Sequence, residues 1–155
     1  MNQKVLILLG SDSDRKHIEP ALPYFEFFGI SAEIVISSAH RNPDKTAEIA
    51  SNARVNGYSA LICGAGMAAH LAGVCAAHTD IPVIGLPLPG GLMDGLDSLL
   101  ATVQMPSGIP VATMTVGKAG AINAAVFCAR ILSLHDKDIV SRLEEFQQTG
   151  SKLKT

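Results

Sequence analysis

A chain of 155 residues fits one domain, 1–155, long enough to bury roughly two thirds of its unfolded surface in a single core. Charged residues make up 17% of it, against about 25% in typical soluble proteins, and mean hydropathy is +0.30, so polar surface is scarce and part of the outside is expected to be covered in an oligomer. A net charge of -2, with no Trp and no Lys/Arg cluster, leaves no basic, aromatic-bearing surface for nucleic acid.

The two longest stretches free of charge, Val55 to Thr79 and Ser98 to Gly117, raise a membrane span. Gly64, Gly66 and His70 in the first, and Pro106, Gly108 and Pro110 in the second, break them into strand, turn and helix pieces, so no membrane segment is expected. The apolar run at Val5 is too short for a signal peptide and leads straight into a turn. Cys63, Cys75 and Cys128 lack Cys-x-x-Cys spacing and sit among apolar residues, which reads as reduced core thiols of a cytoplasmic protein.

Val5 to Leu9 is a continuous apolar run stopped by Gly10, as expected of a strand covered on both faces. Gly10-Ser11-Asp12-Ser13-Asp14 follows, then a helix to about Phe28 with Ile18, Leu22, Phe25 and Phe28 at helical spacing. Two readings of this turn are open. Its backbone amides and the Ser11 hydroxyl suit a phosphate, whereas Ser11-x-x-Asp14 is also a capping box that spends both side chains on the backbone.

The second unit is the strand Ala32 to Ile36, the turn Ser37-Ser38-Ala39-His40-Arg41-Asn42-Pro43, and a helix from about Pro43 to Val55. His40 and Arg41 thus stand at the carboxyl edge of a parallel sheet, where ligands bind in open α/β folds. An imidazole carries protons near neutral pH, and a guanidinium forks onto an anionic oxygen. The bland alternative makes Ser38 and Asn42 helix caps and the two side chains solvated loop residues.

Ser59 to Cys63 forms the third strand and runs into Gly64-Ala65-Gly66-Met67-Ala68-Ala69-His70-Leu71, with a helix to about His78. The glycines match a dinucleotide fingerprint, but they follow the third strand, and the next strand, Pro82 to Leu86, lacks the acidic residue that would hold a ribose. Small residues here let backbone approach a compact ligand, with His70 facing the same edge as His40; a core histidine bonded to backbone is the competing view. Pro87 to Asp94 is a Pro/Gly loop too apolar for a linker, of the kind that covers sites. A helix across Asp97 to Val103, a strand Ile109 to Met114, a small-residue helix to about Leu134 and an amphipathic helix from Asp136 to about Gln148 complete the chain. The last has no strand after it, so packing on a neighbouring subunit and packing on its own domain are both open.

Taken together, Gly10-Ser11-Asp12-Ser13-Asp14, Ser38-Ala39-His40-Arg41-Asn42-Pro43-Asp44, the Gly64 to Leu71 run and Gln104-Met105-Pro106-Ser107-Gly108-Ile109-Pro110 resemble the N5-carboxyaminoimidazole ribonucleotide mutase family. These are bacterial purine-biosynthesis enzymes, also described as the catalytic subunit of phosphoribosylaminoimidazole carboxylase. The resemblance runs from Val5 to about Leu134. It implies a flavodoxin-like three-layer α/β/α sandwich, with a parallel sheet of about five strands and a C-terminal helix. It also implies a homo-octamer with sites at subunit contacts, a ribonucleotide substrate, and no metal, biotin or nucleotide cofactor. Position by position it assigns Ser11, Asp14 and Arg41 to substrate binding, His40 to catalysis and His70 to a second active-site histidine. Gly10, Ser13, Ser38, Ala39, Gly64, Gly66 and Leu71 join the candidate substrate-binding set, and Gly64, Gly66, Ala68 and Ala69 are expected to wall a small chamber.

The chain departs from the family at Met67, where Gly is usual, at Ala72, where Pro is usual, and at Leu88-Pro89-Gly90, where Val-Gln-Ser is usual. The implied reaction moves a carboxylate from the exocyclic nitrogen of an aminoimidazole to ring carbon 4, with one proton shuttled by His40. A related class carboxylates aminoimidazole ribonucleotide directly with carbon dioxide, but tends to carry Lys after Ser-Ala-His, where this chain has Arg41. A rival of another kind is a flavodoxin-like flavin or nucleotide carrier, for which His40 would be indifferent.

Overall fold

The computed structural model describes residues 3–153. Strands β1 (Lys4–Leu9), β2 (Ser31–Ile36), β3 (Ala60–Ala65), β4 (Val83–Pro87) and β5 (Ala112–Thr113) form one sheet in the order β2-β1-β3-β4-β5, and every pair is parallel. The order reverses direction between β1 and β3, and a ligand crevice opens at the carboxyl ends flanking such a switch point. This is the flavodoxin-like sandwich that the sequence pointed to.

Successive residues of β1 face opposite ways, so its unbroken apolar run serves two cores. Val5, Ile7 and Leu9 pack with Phe25, Phe28, Ala124 and Cys128, while Leu6 and Leu8 pack with Cys63, Leu71 and Cys75. The first layer is built by α1 (Arg15–Ile18), α2 (Leu22–Phe28), α6 (Lys118–Leu132) and α7 (Lys137–Gln148), and the second by α3 (Pro43–Ser51), α4 (Leu71–His78) and α5 (Leu96–Val103). No helix is long and apolar enough to cross a membrane among the described residues. All three thiols are free and buried, and burial pushes Cys128 up to about 12.

Where the helix to Phe28 was expected to be continuous, it opens on a 3-10 turn at Asp12–Asp14 and is split by another at Glu19–Ala21. Pro20 and Pro23 lack the N–H that an uninterrupted ladder needs. Gly29, at φ 70°, ends α2 in the left-handed conformation, and the N–H of Ile30 returns to the Phe25 carbonyl at 2.9 Å. β5 is also shorter than the Ile109 to Met114 run suggested, because Pro110 offers no ladder donor.

The amphipathic last helix packs on its own domain. Phe146 meets Phe28 and Tyr24 edge-on at ring centroid distances of 5.4 and 5.9 Å, and Arg142 donates to the Phe27 carbonyl. Asp136 caps it by accepting from the amides of Asp138 and Ile139, at 3.1 and 3.4 Å.

Candidate active site

Loops following β1, β2, β3 and β4 converge on a cleft of about 530 Å³ at the carboxyl edge of the sheet. It is lined by Gly10, Ser11, Ser13 and Asp14 from the first loop, by Ser38, Ala39, His40 and Arg41 from the second, and by Ala65 to Ala68, His70 and Leu71 from the third. Pro89 and Gly90 close the side beneath β4.

At its centre His40 Nε2 and His70 Nδ1 are 2.9 Å apart, with the rings edge-to-face at 89°. One ring must donate and the other accept, so a single N–H lies between them whichever tautomer is present. A proton taken up at the outer nitrogen of one ring can therefore be matched by release at the outer nitrogen of the other. Two fully protonated rings would set N–H against N–H and break the contact. The geometry gives a proton a path from one outer nitrogen to the other.

The turn that carries His40 is fixed from below. Ser37 and Thr46, 1% and 0% exposed, share a hydroxyl contact of 2.8 Å, and Thr46 donates onward to the Asn42 carbonyl at 3.0 Å. Ser37 directly follows β2 and Thr46 lies in the first turn of α3, so the clamp grips both ends of the His40–Arg41 turn. Within it, Ser38 Oγ accepts from the Arg41 N–H at 3.3 Å, and the Ser38 carbonyl accepts from the Asn42 N–H at 2.8 Å. Pro43 starts α3, as its fixed φ favours, but the Asn42 side chain makes no cap. Arg41 is exposed and has no carboxylate within ion-pair distance among the described residues, which leaves its planar fork available to an anionic ligand.

In the first loop the capping-box reading holds. The Asp14 carboxylate accepts from the Ser11 N–H at 3.0 Å through Oδ2, and Ser11 Oγ accepts from the Ser13 N–H at 3.4 Å, so the capping box forms. Both residues nevertheless line the cleft, and Asp14 keeps Oδ1 free for a ligand donor. Burial pushes the Asp14 carboxyl above its ordinary value, against the opposing pull of the Ser11 amide and of His17 and Lys16. Because these amides are spent locally, the loop does not present them as a backbone cradle for an anion.

Of the small residues expected to wall a chamber, Gly66 and Ala68 reach the cleft, while Gly64 and Ala69 do not line it. Gly64 is inside β3, where a Cβ would stand 2.8 Å from Leu9 Cδ2, so its missing side chain serves strand packing. Ala69 is buried, 2% exposed. Sequence reasoning missed the Ser37–Thr46 clamp, whose one signal was a hydroxyl residue at a core-facing position just inside a helix, whereas the Pro87 to Asp94 loop, expected to cover a site, does reach the cleft wall through Pro89 and Gly90. Among the described residues no cluster of three or more His, Cys, Asp or Glu side chains is set to hold a metal ion.

Fold and cleft together define an α/β enzyme domain of flavodoxin-like strand order whose cleft sets a hydrogen-bonded histidine pair beside an exposed arginine. The sequence model of AIR carboxylase matches residues 4–152, and the chain belongs to that family. Relatives include the N5-carboxyaminoimidazole ribonucleotide mutases of Escherichia coli, 46% identical over 94% of this chain and 86% of that one, and of Brucella melitensis, 45% identical over 98% and 94%. A crystal structure of Treponema denticola PurE superposes with a TM-score of 0.86 at 29% identity, covering 96% of this chain and 92% of the other.

Proposed function

We propose that this chain converts N5-carboxyaminoimidazole ribonucleotide to 4-carboxy-5-aminoimidazole ribonucleotide in purine biosynthesis. The observation that carries the reading is the His40–His70 contact of 2.9 Å in a cleft that also holds Arg41 and Asp14. Breaking the carbamate C–N bond releases carbon dioxide, and the nitrogen takes a proton from the histidine pair. Ring carbon 4 then attacks the carbon dioxide, a C–C bond forms, and the carbon 4 proton returns to the pair. One proton is lent and recovered, nothing is oxidised, and an imidazole with a reference pKa of about 6.5 suits both directions. Arg41, with Ser11 and Ser13, would hold the 5′-phosphate, and Asp14 Oδ1 would accept from a ribose hydroxyl, fixing the ring against His40. Ser38, Ala39, Gly10, Gly66 and Leu71 shape the surround.

The direct carboxylation of aminoimidazole ribonucleotide is the second reading, favoured by the description of the family itself. One experiment separates them: unlabelled N5-carboxyaminoimidazole ribonucleotide is supplied with carbon-labelled bicarbonate, and label is followed into the carbon 4 carboxylate at early times. Little label is expected. Rapid full labelling would move the protein to the carboxylase class.

The protein is further proposed to work in the cytoplasm as a homo-oligomer, an octamer as in the family. Support comes from the low charge and from α5, which leaves Leu96, Leu100 and Val103 facing outward beside Leu92 and Met93. Sedimentation at micromolar concentration should find no stable monomer.

A further inference from the structure

Met67 is placed unfavourably in two independent ways. Its φ of 53° lies in the left-handed region, where a side chain crowds the following carbonyl and glycine does not. Its side chain is also among the exposed large apolar ones, the residue being 68% accessible, although a thioether gains by burial. The turn itself does not ask for a side chain here. The Met67 carbonyl accepts from the Ala69 N–H at 2.9 Å and the Ala68 carbonyl from the His70 N–H at 2.8 Å, and glycine at 67 would make the same bonds. Yet Met67 lines the cleft with His40 and His70, just ahead of His70 in the chain. A strained residue that folding does not need, beside reacting groups, points to a task in the reaction.

We propose that Met67 is a specificity-determining residue whose thioether closes the mouth of the cleft over carbon dioxide released at the histidine pair, so that the carbon returns to ring carbon 4 before it escapes. The proposal rests on the carboxyl-transfer reading above and deepens it. Met67 forms no bond and takes no proton; bonds break and form as already written. Its chemistry suits the task. Carbon dioxide has no net dipole, so an apolar wall holds it without competing for hydrogen bonds, and excluding water prevents its hydration to bicarbonate. The neighbouring wall is made of small residues, Ala39, Ala65, Gly66 and Ala68, which leaves room for one long side chain to fold inward. An unbranched thioether with several rotatable bonds can swing aside for the ribonucleotide and back again.

The test uses the labelled bicarbonate assay on the full chain. In the wild type little early product carries label. Met67→Ala keeps a Cβ at the strained position but removes the thioether, and is expected to raise the labelled fraction about 3- to 10-fold. Its KM for the ribonucleotide should stay within about twofold, because Arg41 and Asp14 are untouched. Met67→Leu restores apolar bulk and should return the fraction close to the wild-type value. Met67→Gly relaxes the backbone and should leak like the alanine variant; it also carries the comparison if alanine folds poorly. Equal labelled fractions in wild type and both small variants would overturn the role of Met67 while leaving the carboxyl-transfer reading intact. A higher KM with an unchanged fraction would overturn it too, making Met67 a plain binding contact. A wild type that is itself fully labelled at the first time point would overturn both.

Discussion

Removing the Thr46 hydroxyl should destabilise the protein far more than removing that of its partner. Thr46 Oγ1 donates to the Asn42 carbonyl, so the contact of 2.8 Å between the hydroxyls must be a donation from Ser37 to Thr46. In Thr46→Val the Ser37 hydroxyl, 1% exposed, loses its one recorded side-chain partner, and a buried orphan of this kind costs about 1–3 kcal/mol. The Asn42 carbonyl is spared, since the Thr46 N–H still reaches it at 3.0 Å. In Ser37→Ala, by contrast, Thr46 keeps the Asn42 carbonyl, and the loss is one ordinary bond of about 0.5–1.5 kcal/mol. The double variant removes both groups, so it should be no worse than Thr46→Val alone. For a chain of this size about 2 kcal/mol corresponds to roughly 4–8 °C in thermal midpoint. All variants should be compared at one protein concentration, because the oligomer proposed above would make stability depend on it. The same clamp aims His40, so kcat of Thr46→Val should fall about 10-fold through misplacement of the turn. Additive losses in the double variant, or a Ser37→Ala cost equal to that of Thr46→Val, would refute this account of the clamp.

His40→Asn should retain ribonucleotide binding in a titration but lose about 10²- to 10⁴-fold in kcat, because an amide cannot lend and recover a proton. Arg41→Lys should weaken binding of the ribonucleotide much more than of the phosphate-free nucleoside, a point ammonium replacing a planar fork; equal losses would remove Arg41 from the phosphate. Asp14→Asn should weaken binding yet make the unliganded protein more stable at neutral pH. Burial raises the Asp14 carboxyl in the folded state, so its contribution is fully present below the unfolded carboxyl value of about 3.9 and is lost as pH rises through the folded value. The difference in denaturation midpoint between variant and wild type should accordingly vanish as pH falls below about 4.

The strands and the loops that build the cleft were legible because each apolar run stops at glycine, serine or proline, and a parallel sheet delivers all such stops to one edge. Ile109 to Met114 misled for a related reason: apolar content marks burial, whereas ladder length depends on donors, and Pro110 has none. Gly64 shows the limit of reading glycine by motif, since its neighbours Gly66 and Ala68 face the cleft while it faces Leu9. The contact between His40 and His70 joins residues 30 apart, and nothing in local spacing fixes which nitrogen meets which. Local spacing offered Ser11 and Asp14 as a capping box, but that the box itself lines the cleft comes from the geometry, because only it tells where the second carboxylate oxygen stands.

The two-residue strand β5 bears on how copies of this chain can meet. An open sheet presents unpaired amides along its outer strands, and those invite another chain to add on. Here one border offers only Ala112 and Thr113 after Pro110, too little for a foreign strand to register against. The opposite border, β2, carries Glu33, whose carboxylate is held below its usual range by the Tyr58 hydroxyl at 2.6 Å and by Lys4 at 3.0 Å, so that an ion pair stands at it, which an added strand would have to desolvate. Lateral growth of the sheet into a fibre is discouraged at both borders. The oligomer proposed above would then form through the apolar side of α5, where contacts are made by side chains and can close on a finite set of copies.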